Sequence, residues 1–159
     1  MDNTFITMEN NTLTHLNEKG EVNMVDVGNK GICARKASAS GFISLEAETI
    51  SLILENKIKK GSVLSIAKIA GVMAAKKTSE LIPLCHPLLL DYIDVEMTTE
   101  DNGIKAVSTV SCKGNTGVEM EALNAVSASL LTIYDMCKAV DKKMVISNIQ
   151  LLSKEKKEL

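Results

Sequence analysis

Leu89-Leu-Asp-Tyr-Ile-Asp-Val-Glu-Met-Thr-Thr99 and Ile104-Lys-Ala-Val-Ser-Thr-Val-Ser-Cys112 are alternating stretches on either side of the turn Asp101-Asn-Gly103. Apolar side chains occupy the odd positions from 93 to 97 in the first stretch and mostly even positions in the second. A period of two indicates strands with one buried face, and Asp-Asn-Gly is typical of a hairpin turn. The segment therefore predicts an antiparallel strand pair.

The residues around this hairpin supply further strands and helices. An alternating stretch from Cys33 to Leu45 predicts a strand, and Ser62 is a suitable N-cap for a helix. The predicted order is β-β-α-α-β-β-α-β, with strands near 23–27, 33–45, 89–99, 104–112 and 144–152 and helices over 46–57, 62–81 and 117–140. Hairpins mixed with helices indicate an α+β sandwich, an antiparallel-dominated sheet with the helices packed on one face.

The helix over 62–81 is rich in small residues, namely Ala67, Ala70, Gly71, Ala74 and Ala75. Small side chains leave room for another backbone, so we expect a neighbouring element to approach closely there. The same feature favours one alternative for this chain, a purely structural oligomer.

The 159 residues fit one domain that can bury a core. Residues 1–12 are polar and Asn-rich, which predicts a flexible N-terminus, and residues 155–159 form a charged tail. No Pro/Gly/Ser-rich linker or repeat interrupts the part between, so a single domain is expected over 13–154.

The composition argues against several classes of protein. A net charge of −2 and an aromatic share of 3% argue against nucleic-acid and membrane-surface binding. Four scattered cysteines, with neither a signal-peptide run nor a membrane-spanning stretch, predict a cytoplasmic protein with free thiols. Because His15 and His86 are the only histidines and neither belongs to a spaced ligand set, no metal site is expected.

The predicted long helix carries chemistry at both ends. Glu119 and Glu121 lie at its start, and Asp135 and Lys138 lie near its end. At 1.5 Å rise per residue, Glu121 and Asp135 are about 21 Å apart along the axis. A small substrate could hardly touch both ends, so either one end is structural or the site is assembled from two chains.

The two glutamates have different alternatives. Thr116 and Glu119 match a capping box, which would make Glu119 structural. Glu121 lies beyond the box, and a carboxylate is the usual partner of a guanine-like N–H and amino edge. Since carboxylates repel a triphosphate, phosphates must bind elsewhere, near lysines and arginine.

Asp135 and Lys138 are three residues apart and share a helix face, as an ordinary surface ion pair would. Their apolar neighbours instead suggest partial burial and perturbed pKa values. Lys60 precedes a glycine at a helix start, where it fits either a solvated basic turn or a general acid/base.

His86 and Arg35 are further candidates. His86 lies in Pro83-Leu-Cys-His-Pro87, whose prolines hold the loop extended; it is either a packed histidine or an imidazole held for binding. Arg35 lies on the otherwise apolar face of its strand, where a guanidinium should meet a carboxylate or a ligand phosphate.

Several longer motifs resemble the molybdenum cofactor biosynthesis protein C family, the cyclic pyranopterin monophosphate synthases. The resemblance covers residues 13–154 in order and without large gaps. The motifs are Met24-Val-Asp-Val27, Ile69-Ala-Gly-Val-Met-Ala-Ala-Lys76, Leu81-Ile-Pro-Leu-Cys-His-Pro-Leu88, Thr116-Gly-Val-Glu-Met-Glu-Ala-Leu123 and Leu131-Thr-Ile-Tyr-Asp-Met-Cys-Lys-Ala-Val140.

The resemblance implies a ferredoxin-like subunit that assembles as a hexamer, a trimer of dimers, with active sites at the dimer interface. It implies a lyase that converts the 3′,8-cyclised 7,8-dihydro-GTP intermediate to cyclic pyranopterin monophosphate and releases diphosphate. It implies no required cofactor, with magnesium on the triphosphate as an open alternative.

The resemblance also implies residue roles. Asp135, Lys138 and Lys60 would be catalytic. The purine-derived end of the substrate would meet Leu84, Cys85, His86, Met120 and Glu121, with Glu119 assisting, and the phosphates would meet Arg35 and Lys154.

The chain departs from the family pattern in two places. Asn115 stands where the family usually has the lysine of Gly-Lys-Thr-Gly, which removes a positive charge near the site, a loss that Lys113 would partly offset. Glu155-Lys-Lys-Glu-Leu159 replaces a Gly/Ser/Lys-rich tail. A competing interpretation is a nucleotide-sensing module that binds a purine triphosphate; it explains Glu121 and Arg35 but not the Asp135/Lys138 pair.

Overall fold

The computed structural model describes residues 21–159. The predicted flexible segment 1–12 and His15 lie outside these residues. The elements are β1 (Cys33–Ser44), α1 (Ala47–Leu54), α2 (Val63–Lys76), α3 (Thr78–Leu81), β2 (Leu90–Glu100), β3 (Gly103–Gly114), α4 (Glu119–Cys137) and β4 (Val145–Glu158). None of the helices in this part of the chain is long and apolar enough to cross a bilayer.

The four strands form one antiparallel sheet in the order β2-β3-β1-β4. The predicted hairpin is confirmed: β2 pairs with β3 around the turn, with Thr99 opposite Ile104. The helices cover one face of this sheet, where α4 packs on β1 and β3 and α2 packs on β2. The fold is therefore the predicted α+β sandwich, of ferredoxin-like topology.

Three features differ most from the predictions. No strand forms over 23–27; instead its carbonyls at Val25 and Val27 accept hydrogen bonds from the side chains of His86 and Asn115. The predicted helix over 62–81 breaks at Lys77 into α2 and α3. β4 continues beyond the predicted end through the charged residues to Glu158 and is paired with β1 along its length. The pairing has register shifts, which reflect β-bulges, and Asn148 has a φ of 53°.

The helices α2 and α4 meet along the predicted small-residue seam. Ala67 and Ala75 of α2 are buried, and Ser129 of α4 donates a hydrogen bond of 3.0 Å to the carbonyl of Ala67. A Cβ atom on Gly71 would lie 2.3 Å from the Ser129 hydroxyl and 2.9 Å from the Ala125 carbonyl oxygen. The close approach of the two helices therefore depends on glycine at position 71.

Gly71→Ala is expected to destabilise the protein by about 2 kcal/mol, because overpacking at a backbone contact outweighs the gain in helix propensity. Chemical denaturation measures the free energy of unfolding. Gly31→Ala, outside any helix, is the control for adding a methyl group, since a Cβ there meets no atom of the described residues within 4 Å. Equal stabilities for the two variants would contradict the packing argument.

Asp141 holds the start of α1 to the segment that leads into β4. It is 2% exposed, and its carboxylate accepts the backbone N–H groups of Glu46 and Lys143, each at 2.9 Å. Burial opposes ionisation, but these bonds outweigh it and hold the pKa of Asp141 below its usual value. The side chain of Glu46, the N-cap residue of α1, makes no capping hydrogen bond, and the ionised Asp141 carboxylate takes that role.

Asp141→Asn is expected to cost about 2 kcal/mol at pH 7, because one N–H donor then faces an amide donor. The pKa of the Asp141 carboxyl is lower in the folded protein than the value of 3.8 in the unfolded chain. The ionised carboxylate therefore stabilises the fold at pH values above 3.8, and this stabilisation is lost as the pH falls through the pKa of the folded state. The difference between parent and variant should therefore shrink below about pH 4. Thermal unfolding across pH measures it, with the exposed turn residue Asp101→Asn as the control.

Candidate active site

Three charged residues meet at the C-terminal end of α4. Asp135 Oδ1 lies 2.7 Å from Lys138 Nζ, and Asp135 Oδ2 lies 2.8 Å from Lys60 Nζ. Lys60 also donates to the Asp135 carbonyl at 2.9 Å. The next residue, Gly61, lies just before α2 and has a φ of 99°, which suits glycine. Residues 75 positions apart in sequence thus form one cluster, called the charged triad below.

The charged triad is open to solvent in the single chain. The side chains of Lys60, Asp135 and Lys138 are 47%, 57% and 58% exposed, so the expected partial burial is wrong. The shifted pKa values have another cause: hydrogen bonds from Lys138 and then Lys60 lower the pKa of Asp135 to about 2, and Asp135 raises the pKa of Lys138. The apolar neighbours Met136 and Cys137 point into the core instead.

A cavity of about 430 Å³ lies at the other end of α4. The Pro83–Pro87 loop, the start of α4 and the segment from Val25 to Lys30 enclose it. The residues expected at the purine end all line this cavity: Leu84, Cys85, His86, Glu119, Met120 and Glu121. We call it the carboxylate cavity.

In the carboxylate cavity, His86 is fixed by a hydrogen bond and Glu121 is buried. His86 Nε2 lies 2.8 Å from the Val25 carbonyl oxygen; because a carbonyl only accepts, Nε2 carries the proton. Glu121 is 4% exposed, and burial followed by the charge of Glu119 raises its pKa. Burial likewise raises the pKa of the Cys85 thiol. Within residues 21–159 Glu121 forms no ion pair, and a buried carboxyl of this kind suits a neutral donor edge on a ligand.

Glu119 does not form the expected capping box. α4 begins at Glu119 with Val118 as its N-cap, and within residues 21–159 no side chain caps it. The Glu119 carboxylate folds over Gly117, where a Cβ would collide with it, and lies 3.6 Å from Lys154 Nζ. Glu119 is therefore held by β4.

A second cavity, of about 290 Å³, adjoins the first, since Gly117 and Glu119 line both. Arg35 and Lys154 line it, so we call it the cationic cavity. Arg35 Nη2 donates to the Asn115 carbonyl at 3.4 Å, whereas its buried Nε has no hydrogen-bond partner within residues 21–159. The anion expected beside Arg35 is not a carboxylate of this part of the chain. An unpaired buried donor of this kind is costly, which points to a ligand anion.

Asn115, the residue that departs from the family pattern, fastens one wall of the carboxylate cavity. Its side-chain amide donates to the carbonyls of Val27 at 3.1 Å and Lys30 at 2.8 Å. The site thus includes lining residues to which the sequence analysis gave no binding role: Val25, Val27, Lys30, Leu88, Thr116 and Gly117. The family motif Met24-Val-Asp-Val27 is the sequence signal for this wall, although the segment is predicted as a strand.

Asn115→Ala is expected to release the turn from Val27 to Lys30 and to raise KM about fivefold, because two hydrogen bonds from the amide are lost. Hydrogen exchange at residues 27–30 and substrate titration measure the two effects. Asn29→Ala is the control, since its exposed side chain in the same turn bonds to nothing in the described chain. Unchanged exchange at 27–30 would refute the role of the Asn115 amide.

The charged triad and the carboxylate cavity do not meet within one chain. They occupy opposite ends of α4, about 21 Å apart along its axis. In the part of the chain that the structure describes, no three His, Cys, Asp or Glu side chains are grouped to hold a metal ion.

A sequence model of the MoaC family matches residues 24–157. The chain is similar to the cyclic pyranopterin monophosphate synthase of Chloroflexus aurantiacus, with 53% identity over 91% of this chain and 90% of that protein. The synthase of Peptoclostridium acidaminophilum is 50% identical over 89% of this chain and 90% of its own length. That of Chloroflexus aggregans is 52% identical over 89% of this chain and 87% of its own.

Proposed function

The chain belongs to the MoaC family, and we propose that it is a cyclic pyranopterin monophosphate synthase. The reaction converts 3′,8-cyclised 7,8-dihydro-GTP to cyclic pyranopterin monophosphate and releases diphosphate, a step of molybdenum cofactor biosynthesis. The observation that carries this function is the junction of a carboxylate cavity and a cationic cavity at Gly117 and Glu119.

The two cavities match the two ends of this substrate. Glu121 accepts the N–H and amino groups of the purine-derived ring, while Leu84, Cys85, His86 and Met120 enclose it. The phosphates lie toward the cationic cavity, where Arg35 Nε gains an acceptor and Lys154 adds charge. Because glutamates line the first cavity and cations line the second, the substrate binds with its ring in the carboxylate cavity and its phosphates in the cationic cavity.

The charged triad supplies the proton transfers. Rebuilding the imidazole-derived ring as a pterin moves protons repeatedly, which suits an ionised aspartate between two lysines. To close the cyclic phosphate, a sugar hydroxyl attacks the α-phosphorus, its proton passes to a base, and the bond to diphosphate breaks. Positive charge on the phosphates stabilises that transition state.

Assembly brings the triad to the cavity. Apolar side chains are exposed on the helices, Ile66, Ile69 and Met73 on α2 and Leu131 on α4, at 40%, 60%, 55% and 60%. Large apolar side chains left exposed on two packed helices are typical of an interaction site. A two-fold dimer formed through it would place the start of one α4 against the end of its partner's. We propose such dimers, assembled three at a time into a hexamer.

The proposed reaction involves no net oxidation and requires no redox cofactor. Magnesium bound to the triphosphate would enter with the substrate. The enzyme would work in the cytoplasm, on a small molecule derived from GTP.

The deciding experiment supplies the cyclised GTP intermediate to the pure protein and follows diphosphate release together with pterin fluorescence. Turnover to both products supports the synthase. Tight binding without turnover would favour the nucleotide-sensing module instead. Light scattering at micromolar concentration tests the assembly, and a monomer alone would contradict it.

A further inference from the structure

The cationic cavity contains a lysine to which neither the family pattern nor the chemistry above gives a role. Lys156 lies in the part of β4 that replaces the family's Gly/Ser/Lys-rich tail, and it lines the cationic cavity together with Arg35, Gly117 and Lys154. The pairing register places Lys156 directly opposite Arg35. Side chains of opposed residues lie on one face of a sheet, about 5 Å apart at Cβ.

This opposition of two cations is unfavourable in the free chain. Like charges directly across an antiparallel pair destabilise it. Within residues 21–159, neither Arg35 nor Lys156 forms an ion pair, although Glu119 and Glu155 also line the cavity. Glu119 lies 3.6 Å from Lys154 Nζ, and Glu155 lies opposite Lys36 in the strand register, one residue out of phase with the Arg35/Lys156 pair. The positive charges of Arg35 and Lys156, together with the unpaired Arg35 Nε, therefore favour the binding of a polyanion.

We propose that Lys156 is a phosphate-binding residue of this site, added by the extension of β4. With Arg35 and Lys154 it holds the phosphate chain of the substrate, and it restores the positive charge that Asn115 removes. The inference rests on the proposed function for the identity of the substrate.

Lys157 provides a matched control. It is the next residue of the same strand, carries the same charge and is also exposed, but it lies opposite Ala34 and therefore faces the other side of the sheet. Lys156→Gln is expected to raise KM for the cyclised substrate about fivefold with little change in kcat, because a charge-assisted phosphate contact is lost. Lys157→Gln should change KM less than about twofold, and Lys156→Arg should retain the parental KM.

Two readouts do not depend on turnover. Calorimetric titration with inorganic tripolyphosphate should show weaker binding for Lys156→Gln than for Lys157→Gln. The unliganded Lys156→Gln protein should melt at or above the parental temperature, because the repulsion from Arg35 is relieved. A lysine that only supported β4 would lower the melting temperature when replaced.

The results separate the inference from the proposed function. If the parent turns over the substrate but both glutamine variants behave alike in KM and in tripolyphosphate affinity, Lys156 has no phosphate role. If the parent does not turn over the substrate, the proposed synthase fails, and tripolyphosphate affinity alone then decides on Lys156.

Discussion

Asp135→Asn is expected to lower kcat/KM by about a thousandfold, within the range attributed to general acid–base groups. Asp135 holds both lysine ammonium groups of the charged triad, at 2.7 and 2.8 Å. Asparagine keeps the shape but removes the charge, so Lys60 and Lys138 lose their shared anchor and repel each other. Loss of the bond from Lys138 would also return the pKa of Lys138 toward its ordinary value. Steady-state diphosphate release measures the effect.

The chain offers a control for the loss of an ion pair as such. Asp94 accepts a hydrogen bond from Lys68 at 2.9 Å, also between a helix and a neighbouring element, but away from the triad. Asp94→Asn should change kcat/KM less than about twofold, since this partly exposed pair lies away from the triad and such pairs contribute little. If the two variants lost activity equally, or if Asp135→Asn and Lys60→Ala turned over like the parent, the catalytic assignment would fail.

Mixing two inactive variants is expected to restore about a quarter of the parental activity if each site is shared across a two-fold axis. Glu121→Gln disables the carboxylate cavity, and Asp135→Asn disables the triad. Half of the dimers formed by random pairing contain one chain of each kind. In those dimers one site receives both defects and the other receives none. Co-expression with two affinity tags, followed by the turnover assay, measures the recovered activity.

The matched control pairs two defects from the same half of the site. Asp135→Asn with Lys60→Ala should restore nothing, because Lys60 and Asp135 meet within one chain and every triad then carries a defect. Recovery in this control would show that the triad itself is divided between chains. No recovery with Glu121→Gln and Asp135→Asn would exclude a site shared between subunits.

Much of the fold follows from local sequence patterns. The hairpin from Leu90 to Gly114 is specified by alternation and by its turn, so both strands lie within two residues of their predicted ends. The small residues of α2 likewise predicted the close contact made at Gly71. These features depend on neighbours in the chain, which a sequence shows directly.

Other features depend on contacts between distant residues. The expected strand at 23–27 is replaced by a segment fixed by His86 and Asn115, residues far along the chain. Glu119 bonds to Lys154 in preference to a local cap. Burial of the triad was inferred from apolar neighbours in sequence, but a helix sends adjacent residues in different directions, so Asp135 points to solvent while Met136 points inward. The residues expected at the purine end of the substrate, in contrast, follow from the family motifs, and all of them line the carboxylate cavity.

The bulged, charged course of β4 has a consequence for solubility. β4 is an outer strand of the sheet, and a flat apolar strand in that position invites edge-to-edge aggregation. Bulges and the kink at Asn148 interrupt its regular backbone, and residues 154–158 are all charged. Both features discourage another strand from adding to the sheet. The same lysines that carry charge to the phosphates would thus also protect the newly made protein from self-association through its sheet.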